Sequence, residues 1–273
     1  MNISIKGCAI IAALCQMLSG YGFAAQDQPR EVQPDHAAMV RTLSDQLRWH
    51  DEAGSKQYDT VKDDLTRRLL DEVDAYIADS FDASSATAAQ VKAGLDALLG
   101  IKEGGLTNQF AFTANLPSGH FLIVGVELLR GGQAISEDAI SFRAYEQAGK
   151  SYRLVSSTAN LSDSSLVALH ALALPSPPIA GQFWIMAWAD VPPRSPFTIA
   201  MRLYAFDGKE FRTVWAPGEI ISESINNAVS LDRNGELVIS EMPDWHSSTV
   251  VEKRYALTAD GPKKVSETSR DRK

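Results

Sequence analysis

The stretch FRAYEQAGKSYRLVS at residues 142–156 returns as MRLYAFDGKEFRTVW at residues 201–215. Six of the fifteen positions are identical at a constant offset of 59 residues, where chance gives about one. A looser third copy, KRYALTADGPK at residues 253–263, has two extra residues before its Asp-Gly turn. In each copy two strand-like segments flank a glycine turn, and this pattern predicts a β-hairpin.

An apolar strand precedes each copy, as in QFWIMAW at residues 182–188. A strand that is apolar on both faces must be covered on both sides. Each of these strands follows another strand across a turn that contains Gly119, Gly181 or Gly235. The sequence therefore predicts three units of four antiparallel strands, at about residues 107–158, 164–216 and 225–268.

The hairpin from Leu203 to Phe211 resembles the outer hairpins of bacterial secreted β-propeller-like repeat proteins of unknown function. The resemblance covers roughly residues 107–268, implies a repeat architecture and carries no catalytic residue with it. Closed propellers have about four to eight units, whereas this chain has three. We therefore expect a propeller-like arc, with a partial propeller capped by helices and a two-sheet β-sandwich as the alternatives.

Residues 35–100 have helical periodicity, because apolar residues recur there at steps of three and four. Thr87 and Gln90 predict a capping box at the start of a third helix. At Gly104-Gly105 the period becomes strand-like, so we expect an α+β chain in sequence order, with a helical domain at 35–103 and an all-β domain at 107–268. The acidic run from Asp71 to Asp74 is interpreted as a solvated helix face.

The first 25 residues predict a signal peptide. Lys6 precedes the apolar run Cys8–Cys15, and small residues up to Ala25 provide a cleavage point. We expect an exported protein, periplasmic or secreted, that starts near Ala25 or Gln26 and has no transmembrane segment in the mature chain. Both cysteines lie in the signal, so disulfides and cysteine metal sites are not expected in the mature chain.

Composition excludes several classes of function. The net charge is −8, hydrophobic residues make up 45% and charged residues 22%, which is an ordinary globular profile. Without a basic field the chain is not expected to bind nucleic acid. The five histidines form neither His-x-His nor His-Glu-x-x-His, and no phosphate loop, nucleophile elbow or dinucleotide fingerprint occurs. No metal and no cofactor is therefore expected.

The loop between the second and third strands of a meander lies at the same end as the connection to the next unit. These loops are expected at residues 131–138, 191–196 and 243–248, and the connections at 156–164 and 216–224. Function on repeat scaffolds often resides on such elaborate loops. In this prediction Trp245 stacks on the ligand and Arg194 pairs with an anionic or carbonyl group. The ligand-binding residues predicted for this face are Glu137, Asp138, Arg194, Glu219, Asp244, Trp245 and His246.

These features favour an exported noncatalytic protein that binds a ligand or a protein partner. One alternative is an exported carboxylate-dependent hydrolase, similar to a glycosidase, which needs two acids roughly 5–10 Å apart. Another is a structural subunit of an envelope complex whose helices dock on a partner. A homodimer of two arcs would close a ring.

Overall fold

Three α-helices begin the part of the chain that is described by the structure, a computed structural model. The described residues are 35–49, 56–100, 107–130, 137–158, 167–191 and 197–272. The predicted signal peptide and cleavage point lie outside them. The helices are α1 (His36–Trp49), α2 (Lys56–Ser80) and α3 (Ala88–Leu99).

Three antiparallel sheets follow among the described residues. Four strands of each sheet lie in chain order, and a fifth strand of the second sheet pairs with the third strand of that sheet. The first sheet contains β1 (Phe110–Leu116), β2 (Gly119–Arg130), β3 (Glu137–Ala148) and β4 (Ser151–Ser157). The second contains β5 (Val167–Leu174), β6 (Phe183–Asp190), β7 (Phe197–Phe206), β8 (Phe211–Trp215) and β9 (Glu219–Ser222). The third contains β10 (Val229–Leu231), β11 (Leu237–Glu241), β12 (Thr249–Thr258) and β13 (Gly261–Asp271). The predicted order of helices followed by antiparallel sheets is confirmed.

The sequence repeat is also a repeat of backbone geometry. In all three outer hairpins the register shifts directly before the repeated tyrosine, at Tyr145, Tyr204 and Tyr255. A β-bulge of this kind increases the local twist of the strand pair. The turn glycines of the first two copies, Gly149 and Gly208, have φ of 67° and 95°, which L-residues rarely adopt. The identical glycine thus reflects a conformational requirement of the turn.

The sheets pack face to face in chain order. In the first sheet, β2 is buried along residues 121–128, with alternate side chains directed to opposite faces. Phe121 and Ile123 face the second sheet, where they share a core with residues such as Ile185 and Phe206. On its other face the second sheet packs on the third through residues that include Trp184 and Ile239.

The helices cover the outer face of the first sheet. Leu122 and Val124 of β2 share one core with Leu69 and Val73 of α2, and with apolar residues of α1 and α3. The predicted capping box at Thr87 is confirmed, since Gln90 N–H donates to the Thr87 hydroxyl and the Gln90 side chain accepts from Thr87 N–H. The boundary between the predicted domains falls outside the described residues, and this division of the chain stays a prediction.

A buried ion pair joins α2 to the first sheet. The Arg143 guanidinium donates two hydrogen bonds to the Asp74 carboxylate, one of them 2.5 Å long, and the Tyr145 hydroxyl donates a third over 2.6 Å. The interpretation of the acidic run as a solvated face is therefore wrong for Asp74, which is turned toward the sheet. It holds for Asp71, which is exposed and pairs with Arg67 on the same helix.

Two strands depart from the predicted units. β9 lies in the predicted connector 216–224, and it pairs with the first half of β7, from Phe197 to Ala200. It occurs there because β8 pairs only with the second half, from Leu203 to Phe206. β13 continues to Asp271, past the predicted end at residue 268, because its backbone remains paired with β12 up to Thr249.

Candidate functional site

The candidate site lies at one end of the sheet stack. We call it the loop end: here the second strand of each sheet passes to the third through residues 131–136, 191–196 and 242–248. Residues 131–136 and 192–196 lie outside the described residues. The strand pairs next to the three loops are Arg130 with Glu137, Asp190 with Ile199, and Glu241 with Val251.

Hydrogen bonds between sheets place these ends side by side. Trp188 of β6 donates its indole N–H to the carbonyl oxygen of Ile225, in the connector to the third sheet, over 2.8 Å. Met242 N–H, at the start of the third loop, donates to the Ile221 carbonyl of β9 over 2.7 Å. The described parts of the second and third sheets therefore adjoin at this end.

The structure describes the predicted site residues to different extents. Glu137 and Asp138 begin β3 and pair with Arg130 and Leu129, so they lie in a strand where the prediction placed them in a loop. Their side chains, and the whole of Arg194, lie outside the described residues. Asp244, Trp245 and His246 are brought together in one turn at the loop end.

Glu219 was also predicted to lie in a connecting loop. It is instead the exposed first residue of β9, opposite Ala200 of β7. The strand forms because the first half of β7 would otherwise have a free edge, and this could not be read from residues 216–224 alone. Glu219 is thus held on the rim of the second sheet by backbone pairing.

The Asp244 turn presents two side chains to solvent. The Asp244 carboxylate accepts a hydrogen bond from His246 N–H over 2.8 Å, which is an Asx turn. Its far end is anchored by Arg272 N–H, which donates to the Ser248 carbonyl over 2.6 Å. His246 is exposed and Trp245 is half-buried. An aromatic ring and an imidazole on an anchored turn suit stacking and hydrogen bonding to a ligand.

A fully buried carboxylate clamps the first two sheets together near the same end. Glu127 accepts hydrogen bonds from the backbone N–H of Asn108 over 2.5 Å and of Leu169 over 2.9 Å. The Asn108 amide in turn donates to the Leu169 carbonyl oxygen over 3.1 Å. The Leu169 N–H is therefore bonded to the first sheet and its carbonyl oxygen to the segment just before that sheet, and β5 bulges away from β6 between Val167 and His170.

The bulge has a backbone signature. Ala168, directly before the clamped residue, has φ of 57° and is the non-glycine residue with positive φ among those described. That conformation is strained for an L-residue and persists only where the surrounding structure enforces it. Here the hydrogen bonds that Glu127 and Asn108 make with the backbone of Leu169 hold the neighbouring Ala168 in this conformation. The bulge also sets the position of His170, the next residue that pairs with β6.

Sequence reasoning missed the group formed by His170, Trp188 and Asp190. The His170 and Trp188 rings are stacked, with centroids 5.3 Å apart and planes 14° apart. Burial lowers the pKa of His170 and raises the pKa of Asp190. One signal was available: His170 is the one titratable residue in the otherwise apolar strand VALHALAL, at 167–174.

Other charged side chains at this end are paired with one another. Arg270 of β13 pairs with Glu223 over 2.5 Å and with Glu252 over 3.3 Å. Glu241 pairs with Lys253. Within the described ranges, no group of three or more His, Cys, Asp or Glu residues is placed to hold a metal ion. The described helices include none long and apolar enough to cross a membrane.

Comparison of the chain with protein-family models, with curated proteins and with solved structures found no match. The functional assignment therefore rests on the geometry of the loop end.

Proposed function

We propose that this chain is an exported, noncatalytic binding protein whose three sheets form an open propeller-like arc and whose loop end contacts the ligand. The observation that carries the proposal is the Asp244 turn, which holds Trp245 and His246 together on an anchored, solvent-facing loop. The face-to-face packing of three sheets, each built on four strands in chain order, supports the propeller-like arrangement over a two-sheet sandwich.

The packing of the helices favours this function over that of a structural subunit. Docking of the helices on an envelope partner would need an exposed apolar stripe. Val40, Leu43 and Leu47 of α1 are instead buried in the core shared with the first sheet. Those residues are therefore engaged within the chain itself.

A thermal-shift screen of the mature protein against sugars, peptides and ions tests the proposal. A ligand that binds only the folded state raises Tm in proportion to its affinity. We expect at least one ligand whose affinity falls tenfold or more in Trp245→Ala and in His246→Ala. The control is His120→Ala, an exposed histidine hydrogen-bonded to Asn115 in the hairpin of the first sheet.

Unchanged affinity in both loop variants, or an equal loss in the His120 control, would place the ligand elsewhere. Mass spectrometry of the exported protein checks the proposed export in parallel. The expected amino terminus is Ala25 or Gln26, and an intact Met1 in the exported fraction would contradict it.

A further inference from the structure

A second group of polar and aromatic side chains lies at the loop end, on the second sheet. His170 of β5 and Trp188 of β6 are cross-strand partners, and Asp190 follows Trp188 by two residues on the same face. Opposite and diagonal neighbours of this kind lie about 5–8 Å apart in an antiparallel sheet. Trp188 belongs to the core between the second and third sheets, so the group faces that seam.

The aromatic part of the group is held in one orientation. The His170 ring is stacked on Trp188 at 5.3 Å, and the Trp188 indole N–H is bonded to the carbonyl oxygen of Ile225 over 2.8 Å. On the opposite face of β5, the Glu127 clamp fixes the backbone of Leu169, the residue before His170. Preorganised rings lose little conformational freedom when a ligand binds.

Among the described residues, two polar groups beside these rings have hydrogen-bonding atoms without a partner. The His170 ring is stacked on Trp188. It makes no hydrogen bond to another residue in the described part of the chain. Asp190 Oδ1 is buried without a hydrogen-bond partner among the described residues. Asp190 as a whole is only half-buried, so a ligand donor can approach its carboxyl group.

The hydrogen-bonding groups of the cluster select the chemistry of the ligand. Burial lowers the pKa of His170, which favours the neutral imidazole, and the Asp190 carboxyl group supplies acceptors. A neutral imidazole offers one donor and one acceptor. A hydroxyl group also does both, whereas an ammonium only donates and an anionic oxygen only accepts. The half-buried His170 ring, held in place on Trp188, can pack against the apolar face of a sugar ring.

We infer that His170, Trp188 and Asp190 form a subsite for the hydroxyl groups of a neutral saccharide. The inference rests on the proposed binding function and names its class of ligand. The subsite lies on the second sheet, whereas the Asp244 turn belongs to the third, and the two can be tested separately.

The test uses the indole signals of the ¹⁵N-labelled full chain, which has five tryptophans. The probes are glucose, galactose, mannose, N-acetylglucosamine and its dimer, with putrescine and acetate as charged controls. Trp188→Phe assigns the reporter signal. We expect one of the saccharides to shift the Trp188 signal saturably, and the charged probes to leave it in place.

Two variants test the polar groups while leaving the packing of the rings in place. His170→Phe keeps a ring on Trp188 but removes both nitrogens, and Asp190→Ala removes the carboxyl group. Each should weaken saccharide binding at least tenfold, while His120→Phe, the matched control, leaves it unchanged. Full affinity in His170→Phe and Asp190→Ala would overturn the subsite.

The outcome also distinguishes this inference from the proposed function. If Trp245 responds to a saccharide and Trp188 does not, the binding function is supported and the subsite is refuted. If no saccharide moves Trp188, the subsite is refuted as well, and the thermal-shift screen with Trp245→Ala still decides the proposed function. A response to putrescine or acetate equal to that of the saccharides would refute the ligand class.

Discussion

The outer faces of the first and third sheets both carry arginine–carboxylate ion pairs, but the pair on the first sheet is buried and the pair on the third is exposed. On the first sheet, under the helices, the side chains of Arg143 and Asp74 are 7% and 18% exposed. On the outer face of the third sheet, the side chains of Arg270 and Glu252 are 37% and 30% exposed. The first pair holds a layer of helices in place, whereas the second faces solvent.

The difference shows where the stack ends. Arg254 and Glu252 of β12 lie opposite Val238 and Ser240, which face away from the core between the second and third sheets. Docking another apolar sheet on this face would bury charges at a desolvation cost that their mutual attraction rarely repays. The outer face of the third sheet is thus exposed to solvent, whereas the outer face of the first sheet is covered by the helices.

The largest effect is expected from Asp74→Ala. This change leaves the Arg143 guanidinium buried and without its carboxylate, and breaking a buried pair in this way costs about 3–5 kcal/mol of unfolding free energy. Urea denaturation measures it. The matched control is Asp71→Ala on the same helix, whose exposed pair with Arg67 is worth about 0.5 kcal/mol or less. Equal losses in both variants would contradict the contrast between buried and exposed pairs.

A smaller loss is expected from Glu127→Gln in the seam between the first two sheets. The amide group keeps one acceptor, but its NH₂ would face a backbone N–H of Asn108 or Leu169, leaving a buried donor without a partner. We expect a loss of about 2–3 kcal/mol. Glu146→Gln makes the same chemical change at an exposed pair with Arg153 on the first sheet, and should cost about 1 kcal/mol or less. A loss in Glu146→Gln as large as in Glu127→Gln would mean that the clamp adds nothing specific.

The smallest effect is expected from Glu252→Ala on the outer face of the third sheet. Arg270 keeps Glu223 as a partner, and the pair is accessible to water and salt, so the loss should stay within about 1 kcal/mol. The same urea titration, repeated in 0.5 M NaCl (~4 Å Debye length), should reduce even that difference. A loss above about 2 kcal/mol would mean that this face is covered in solution, for example by a second copy of the chain.

The fold could be predicted largely from local signals. The hairpin turns follow from glycines such as Gly149 and Gly208, because their positive φ is a property of a few neighbouring residues. The start of α3 follows from Thr87 and Gln90 for the same reason. The buried second strand of each unit follows from its apolar run, since such a strand must be covered on both faces.

The candidate site was only partly predictable. The turn at Asp244 is local, and its grouping with Trp245 and His246 follows from adjacency in the chain. The stacking of His170 on Trp188 depends on the register across a bulge, and a shift of one residue would send the ring to the opposite face. Alternation within a single strand does not specify that register.

By itself the sequence determined the repeat unit, its turns, the order of helices and strands, and the apolar strands that each sheet buries. Only the tertiary structure decided which charges are buried and which backbone groups form hydrogen bonds between sheets. Asp74 and Arg143 are 69 residues apart in the chain, and Glu127 and Leu169 are 42 apart. Whether such groups pair or remain solvated depends on which layers face one another, because burial changes the free energy of a charge far more than its neighbours in sequence do.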